Sequence, residues 1–140
     1  MGPRLIRTLT RLQQPLFTLM RGRMQGPPTL RLITTGRRSG KPRSVLLLYL
    51  DELNEHGRLV VVASFGGHDE DPYWWKNLQT EPAAQVWSAA HGDQRVTASE
   101  IEGDDRDAVW QRLISMYSPY VGYQAKTTRH IPVVALTPVE

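Results

Sequence analysis

Short apolar runs separated by turn residues dominate the chain after its first quarter. They lie at residues 30–35, 44–51, 58–64, 84–90, 95–101 and 131–136. Runs of this length that are rich in Leu, Ile and Val are typical of β-strands. About six short strands joined by Gly- and Asn-containing turns predict a mainly β fold, a small antiparallel barrel.

A basic amphipathic segment precedes these strands. Leucines recur every three or four positions within residues 3–24, which predicts one or two helices, and Pro15 predicts a break between them. Residues 25–28, Gln-Gly-Pro-Pro, are typical of a linker, so we divide the chain into a helical segment, 1–25, and a β-barrel domain, 26–140. Such a helix either packs on its own domain or lies on an anionic membrane surface.

Two helices are predicted among the strands. The first covers 72–80, with Asp71 as N-cap and a proline as its first residue, and the second runs from Asp104 or Asp105 to about Tyr117. Turn-forming residues predict a turn at 54–57 and a loop at 119–123.

The composition excludes several classes of site. The 140 residues include no cysteine, which excludes disulfides, zinc–thiolate centres and a thiol nucleophile. No apolar run is long enough to span a bilayer, and no signal-peptide pattern is present. We therefore expect a cytoplasmic protein, with peripheral contact of 1–25 on the inner face of the cell membrane as an alternative.

Charge is distributed unevenly along the chain. Residues 1–50 contain ten Lys or Arg and no Asp or Glu, whereas the remainder is acidic and the net charge is only +3. A cationic first third predicts a polyanion, an anionic membrane surface or an anionic cofactor as partner. Since no nucleic-acid motif is present, we do not expect nucleic acid to be that partner.

The cations are most concentrated in the loop between the first two strands. This loop, 34–43, carries two glycines, a proline, three arginines and a lysine. Backbone N–H groups of such a turn can form an anion-binding nest, and arginines bind phosphate or carboxylate in a bidentate manner. The loop is not a P-loop, because only three residues separate Gly36 from Gly40 and Pro42 replaces the Mg²⁺-binding hydroxyl. An anion-binding loop and a solvated basic hairpin remain the two interpretations.

The usual machinery of metal, hydrolytic and nicotinamide chemistry is not visible. The four histidines lie far apart in the sequence and have no metal-ligand spacing, at positions His56, His68, His91 and His130. The acidic run after His68 favours a solvated, helix-capping role over a metal site. Neither a G-x-S-x-G elbow nor a G-x-G-x-x-G fingerprint occurs.

Aromatic residues offer a different kind of site. Tyr117, Tyr120 and Tyr123 recur every three residues, and Trp74 and Trp75 lie on the first predicted helix. These rings either fill the ends of the barrel or line a pocket. Aromatic walls with a few hydroxyl donors suit a flat redox cofactor. An anion-binding loop beside such a pocket predicts a flavin-like cofactor with a charged tail.

Four sequence blocks resemble the deazaflavin-dependent nitroreductase family of actinobacteria. In chain order they are Leu-Ile-Thr-Thr-Gly-Arg-Arg-Ser-Gly-Lys-Pro-Arg at 32–43, Val-Ala-Ser-Phe-Gly-Gly at 62–67, Pro-Tyr-Trp-Trp-Lys-Asn-Leu at 72–78, and the tyrosine segment 117–124 followed by Ile-Pro-Val-Val at 131–134. The resemblance implies a split β-barrel and coenzyme F420, a deazaflavin with a phosphate and an oligoglutamate tail. Members of this family resemble quinone reductases, and some reduce nitroimidazoles.

The resemblance also implies residue roles. The cofactor-binding candidates are the basic-loop residues Arg37, Arg38, Ser39, Lys41, Pro42 and Arg43, the deazaflavin-contacting residues Ser64, Phe65, Gly66 and Gly67, and Trp74. The candidate catalytic residues are those expected near the substrate, namely Tyr117, Tyr120, Tyr123 and Ser64. Two positions depart from the family pattern: Phe65 stands where many relatives have Lys or Asn, and Trp75 replaces a Tyr or Phe.

We therefore expect an oxidoreductase that transfers a hydride from reduced F420 to a quinone-like or nitroaromatic acceptor. One alternative is a split barrel that binds FMN, or sequesters a cofactor, without turnover. The other is a peripheral membrane or polyanion-binding module, which the cations of residues 1–43 would support.

Overall fold

The structure is a computed structural model that describes residues 28–139. Its seven strands are β1 (Thr29–Thr35), β2 (Pro42–Leu48), β3 (Leu50–Glu52), β4 (Arg58–Val62), β5 (Ala83–Ser88), β6 (Gly92–Glu100) and β7 (Val133–Pro138). The helical segments predicted within 1–25 lie outside the described residues. Among those described, no helix is both long and apolar enough to cross a membrane.

All seven strands join one antiparallel sheet in the order β2-β1-β5-β6-β7-β4-β3. The two edge strands, β2 and β3, are consecutive in the chain and are separated by Tyr49 alone. The N–H of Tyr49 donates to the carbonyl of Pro28 at 3.0 Å. Because one continuous segment supplies both edges, the sheet curls into a barrel, which confirms the predicted architecture.

The barrel interior is apolar because alternate residues of each strand face inward. In β1, for example, Leu30 and Leu32 are fully buried while their neighbours are partly exposed. The interior side chains that are fully buried include Leu30, Leu32, Leu59, Val61, Val134 and Leu136. Residues of β4 alternate between two apolar cores: Leu59 and Val61 face this interior, and Val60 and Val62 face a second core on the outside of the barrel.

Four helices and one 3₁₀ turn accompany the sheet. They are α1 (Leu53–His56), the 3₁₀ turn (Phe65–Gly67), α2 (Tyr73–Thr80), α3 (Gly103–Met116) and α4 (Pro119–Ala125). Helices α3 and α4 bury Val109, Leu113 and Tyr120 against the outer face of β4 and β7. Val109 and Leu113 are four positions apart, so the 3.6-residue period of α3 places them on one face.

A buried carboxylate fixes α3 to the edge of the sheet. Glu52 accepts hydrogen bonds from Arg58 at 3.0 Å and from Arg112 of α3. Arg58 also binds Asp105 with both of its terminal nitrogens, at 2.8 and 2.9 Å. The neighbouring guanidinium lowers the pKa of Asp105 below its usual value.

Several local predictions were wrong in detail. The turn predicted at 54–57 is helical, and the strand predicted at 44–51 is interrupted at Tyr49. Residues 119–123 form most of α4 and not a loop, because a proline suits the first position of a helix and Tyr120 gains burial there. Asp71 does not cap α2: Pro72 is the N-cap, and Asp71 binds an arginine instead.

Candidate functional site

The cation loop, residues 36–43, is a hairpin tip that joins β1 to β2. The Gly36 N–H donates to the Lys41 carbonyl and the Gly40 N–H to the Gly36 carbonyl, both at 2.8 Å. The Lys41 N–H donates to the Ser39 hydroxyl, and the Arg37 N–H donates to Asn77. Four backbone donors of the loop are thus already used within the protein, whereas the N–H groups of Arg38 and Ser39 donate to no described residue. The loop therefore offers an anion these two backbone groups and its cationic side chains.

The side chains of the cation loop remain available for this. Arg38 and Lys41 are exposed, and the loop forms no ion pair with the residues that the structure describes. Arg43 reaches back to the Ser39 hydroxyl and the Pro42 carbonyl, both at 3.3 Å. The structure therefore brings together all six basic-loop residues that the sequence indicated, from Arg37 to Arg43.

A buried amide connects the cation loop to helix α2. Asn77 is only 4% exposed; its Nδ2 donates to the Thr34 hydroxyl at 3.0 Å and its Oδ1 accepts the Arg37 N–H at 3.1 Å. The guanidinium of Arg37 lies 5.7 Å from the ring centroid of Tyr73, at the start of α2. The loop is therefore fixed beside the helix that carries Trp74 and Trp75.

An apolar cavity of about 430 Å³ lies next to this helix. Its walls come from β2, β4, the 3₁₀ turn, α2 and the α3–α4 region, with lining residues Val45, Leu46, Leu47, Leu48, Val62, Ser64, Phe65, Gly66, Pro72, Tyr73, Trp74, Tyr117, Tyr120 and Tyr123. Three of the four sequence blocks, 62–67, 72–78 and the tyrosine segment 117–124, thus meet at one cavity with residues 45–48 of β2, and block 32–43 does not line it. Of the predicted residues near the deazaflavin, only Gly67 does not line it.

The turn after β4 has an unusual backbone. Phe65, Gly66 and Gly67 all have positive φ angles, of 46°, 64° and 83°. A β-carbon on Gly67 would lie 2.7 Å from the carbonyl oxygen of Tyr123, so this position requires glycine. The close approach places the turn directly against α4. Phe65, which is 49% exposed, contacts the ring of His68 in a tilted arrangement at a centroid distance of 4.7 Å.

Arg129 holds this turn in place. Its guanidinium donates to the carbonyls of Ala63, Ser64 and His68 at 3.1, 2.8 and 2.9 Å, and it pairs with Asp71 at 2.7 Å. Its own carbonyl accepts a hydrogen bond from Gln124 of α4 at 2.8 Å. One residue thus joins the turn after β4, the segment before α2 and helix α4. The sequence analysis missed Arg129, because a single arginine in a loop carries no periodic or motif signal.

The acidic run after His68 is exposed at Asp69 and Glu70, as the sequence indicated, and it also has partners. Asp69 accepts the Thr127 hydroxyl at 2.7 Å, and Glu70 pairs with Lys76 at 3.3 Å. Within residues 28–139, no three His, Cys, Asp or Glu side chains are grouped as a metal site would require.

The three tyrosines form a compact cluster on the cavity wall. The hydroxyls of Tyr117 and Tyr123 lie 3.3 Å apart, and the ring of Tyr120 packs edge-on against Tyr117 at a centroid distance of 5.0 Å. Burial raises the pKa of Tyr120 strongly, and the hydrogen bond with Tyr123 raises that of Tyr117. Both phenols therefore stay protonated at neutral pH and can donate hydrogen bonds.

These residues fit an anionic aromatic cofactor. The cavity volume lies within the range of roughly 300–1,000 Å³ that small-molecule sites occupy. Its walls are aromatic and aliphatic, which suits a flat ring system, while hydroxyls come from Ser64 and the tyrosines. The cation loop lies beside the cavity, since Arg37 contacts the ring of Tyr73, which lines it. Tyr73, which is 73% exposed, is a site residue that the sequence analysis did not single out.

Comparison with known proteins identifies relatives of this chain. A family model described as F420H(2)-dependent quinone reductase matches residues 5–138. An F420H(2)-dependent quinone reductase of Mycobacterium tuberculosis is 33% identical over 139 residues, which covers 92% of this chain and 89% of the relative.

Solved structures agree with the fold. The structure of an F420-H2 dependent reductase is 36% identical, covers 80% of this chain and 96% of its own, and has a TM-score of 0.66. A pyridoxamine 5'-phosphate oxidase-related, FMN binding protein from Nostoc punctiforme is 15% identical with a TM-score of 0.52, covering 80% of this chain and 71% of that one. The latter shares the fold alone, and the predicted split barrel is confirmed.

Proposed function

The chain belongs to the family of F420H(2)-dependent quinone reductases, and we propose that it reduces a quinone in the cavity beside the cation loop. Family membership confirms the resemblance that the four sequence blocks indicated. It also makes F420, and not FMN, the cofactor to expect. The proposal is carried by the position of Tyr73. Its ring lines the aromatic cavity and also lies against the guanidinium of Arg37 in the cation loop.

In this proposal the cation loop binds the anionic part of the cofactor. Arg37, Arg38, Lys41 and Arg43 supply charge, and charge-assisted hydrogen bonds from arginine to phosphate or carboxylate are among the strongest in proteins. Ser39 and Pro42 shape the hairpin around Arg43, through its contacts at 3.3 Å. Since four backbone N–H groups of the loop already donate within the protein, these side chains provide most of the binding energy.

The cavity orients the ring system and excludes water. Phe65 and Gly66 form one wall and Trp74 another, while Gly67 holds the turn against α4. Reduced F420 supplies the hydride: the quinone gains two electrons and two protons and leaves as the hydroquinone, and the cofactor is left oxidised.

The tyrosines assist the acceptor. Negative charge develops on the quinone oxygen as it is reduced, and neutral phenol donors in a dry pocket stabilise such charge. Tyr120, the most buried of the three, is 5% exposed and forms no hydrogen bond with any described residue, so its hydroxyl is the best candidate donor. Tyr117 and Tyr123 bind each other, and Ser64, just after β4, adds a further hydroxyl to the cavity.

A fluorescence titration with F420, followed by a quinone-reduction assay, tests this proposal. We expect saturable binding at micromolar protein and cofactor-dependent formation of hydroquinone. Arg43→Ala should weaken binding more at low salt than at high salt, because screening already reduces its contribution at high salt. Tyr120→Phe should keep the affinity and lower kcat. Absence of saturable binding would refute the cofactor assignment, and equal losses of affinity in the two variants would refute the division of roles.

A further inference from the structure

The exposed lining residues of the aromatic cavity mark its mouth. Of the described residues that line the cavity, Phe65, Gly66 and Tyr73 are exposed, whereas the others are buried or half-buried. Phe65 is 49% exposed and Tyr73 is 73% exposed, so an aromatic ring from the turn after β4 and another from helix α2 border the mouth. Any quinone that enters the cavity passes these two rings.

Phe65 is the fixed ring of this pair. Its φ angle of 46° is unusual for a bulky residue, and such a backbone conformation persists only where its surroundings impose it. Here Arg129 binds the carbonyls of Ser64 and His68, before and after Phe65 in the chain. The ring of Phe65 also contacts the ring of His68 at a centroid distance of 4.7 Å. The turn therefore holds Phe65 in place at the mouth.

Tyr73 is held more loosely, by two cations that lie against its ring. The guanidinium carbon of Arg37 lies 5.7 Å from the ring centroid and the Nζ of Lys76 lies 6.0 Å from it, both at cation–π distance. Lys76 lies one turn further along α2 and pairs with Glu70 at 3.3 Å. The hydroxyl of Tyr73 forms no hydrogen bond with the described residues. Because exposed cation–π contacts are weak, the ring can leave this position.

We propose that Tyr73 is a gate residue, whose ring leaves the two cations and closes on the face of a quinone bound in the cavity. The inference rests on the proposed function, because it concerns an acceptor in the same cavity. Aromatic rings gain from offset stacking, and closure of the mouth excludes water from the reacting groups. Phe65 stays in place as the fixed edge of the mouth.

The gate makes Lys76 and the acceptor compete for one ring. The cations stabilise the open position of Tyr73, and the acceptor stabilises the closed one, so each shifts the equilibrium against the other. Loss of the ring should therefore weaken acceptor binding, whereas loss of Lys76 should strengthen it. The gain from closure should also increase with the planar area of the acceptor, which makes Tyr73 a determinant of specificity.

Titration of quinones into the complex with oxidised F420 tests the gate, because the oxidised cofactor allows binding without turnover. Quenching of tryptophan fluorescence gives the affinities of the wild type, Tyr73→Ala, Tyr73→Phe, Lys76→Gln and the double variant Tyr73→Ala/Lys76→Gln. A naphthoquinone, with two fused rings, is compared with a benzoquinone, which has a single ring. Val121→Ala is the control, because Val121 is also exposed but does not line the cavity.

We expect Tyr73→Ala to weaken the affinity for the naphthoquinone by roughly threefold to tenfold, as the loss of one aromatic pair does, and that for the benzoquinone by less. Tyr73→Phe keeps the ring and should bind as the wild type does, and so should Val121→Ala. Lys76→Gln should strengthen quinone binding by about twofold to threefold, since one weak cation–π contact no longer favours the open position. In the double variant this gain should vanish, because the ring on which Lys76 acts is absent.

An unchanged quinone affinity in Tyr73→Ala would overturn the inference. An effect of Lys76→Gln that is the same with and without the ring of Tyr73 would also overturn it, because Lys76 would then act through its charge alone. The affinity of Tyr73→Ala for F420 provides a third criterion: a fall as large as that for the quinone would make Tyr73 part of the cofactor site and not a gate. If the wild type binds no F420, the proposed function fails and the inference with it, and that result is distinct from the other three.

Discussion

Asn77 and Thr34 lie 43 positions apart in the sequence, yet their side chains meet in a buried hydrogen bond of 3.0 Å. The bond joins helix α2 to strand β1 at the base of the cation loop. Because the same amide also accepts the N–H of Arg37, it fixes the loop relative to the aromatic cavity. The relative placement of the two proposed binding regions thus depends on one side chain.

Replacement of Asn77 should lower both the stability of the protein and its affinity for F420. Asn77→Leu leaves the Arg37 N–H and the Thr34 hydroxyl without their partner, and a buried polar group left unpaired costs about 1–3 kcal/mol. We expect this loss in denaturant unfolding, together with a weaker affinity for F420, since the loop is no longer fixed to α2.

Thr34→Val is the matched control for that variant. It removes the same side-chain hydrogen bond but keeps the contact between Asn77 and Arg37. It should therefore lower stability by less than Asn77→Leu, because it leaves one polar group unpaired and not two, and it should leave the affinity for F420 near that of the wild type. Equal affinities in the two variants would show that the Arg37 anchor does not matter for binding.

Arg129 should act as a positioning residue for the turn that precedes α2. Its replacement by Gln removes donors from three carbonyls and leaves Asp71 unpaired. We expect a loss of about 2 kcal/mol in the free energy of unfolding, less than for a fully buried pair because Asp71 is 29% exposed. Hydrogen exchange at the amides of 64–67 should become faster, and the KM for F420 should rise.

Asp71→Asn provides the comparison for Arg129→Gln. It removes the charge of the ion pair, but it retains an acceptor and all three carbonyl contacts of Arg129. Exchange at 64–67 should then remain slow. Fast exchange in Asp71→Asn as well would mean that the ion pair, and not the carbonyl contacts, holds the turn.

Two adjacent glycines allow a strained backbone to be distinguished from a steric clash. Gly66→Ala adds a β-carbon that meets no atom within 4 Å, so its cost is the positive φ alone, about 1–2 kcal/mol. Gly67→Ala has this cost and also places the β-carbon 2.7 Å from the carbonyl oxygen of Tyr123. We expect Gly67→Ala to be clearly less stable in thermal unfolding, with slower quinone reduction. Equal melting temperatures would contradict the close packing of the turn on α4.

Local patterns were sufficient to predict the strands and the cation loop. The apolar run of β4 and the two glycines of the hairpin determine their structure over a few residues, and such signals are visible in a single sequence. The grouping of Ser64, Trp74 and the tyrosines was predicted from the resemblance to a family, and not from any pattern within this chain. The structure then placed them around one cavity.

Contacts between distant residues could not be predicted in this way. Arg129 binds the carbonyl of Ala63, 66 positions away, and nothing in the local sequence of either residue encodes that contact. The helix α4 was missed for a related reason: its proline and glycine favour a loop locally, but burial of Tyr120 against Trp110 and Tyr117 stabilises a helix. Tertiary packing outweighed local propensity.

Tyr120 should make the stability of the protein depend on alkaline pH. Burial raises its pKa above the usual value of about 10, so the folded protein keeps the phenol proton where the unfolded chain releases it. Stability is therefore unaffected by this group below pH 10 and falls as the pH rises above it. Denaturant unfolding between pH 8 and 11 should show this decline in the wild type and a smaller one in Tyr120→Phe. Tyr73→Phe is the matched control, since Tyr73 is 73% exposed and its loss should leave the decline unchanged. An identical decline in Tyr120→Phe and the wild type would show that the hydroxyl of Tyr120 is not held in a desolvated site.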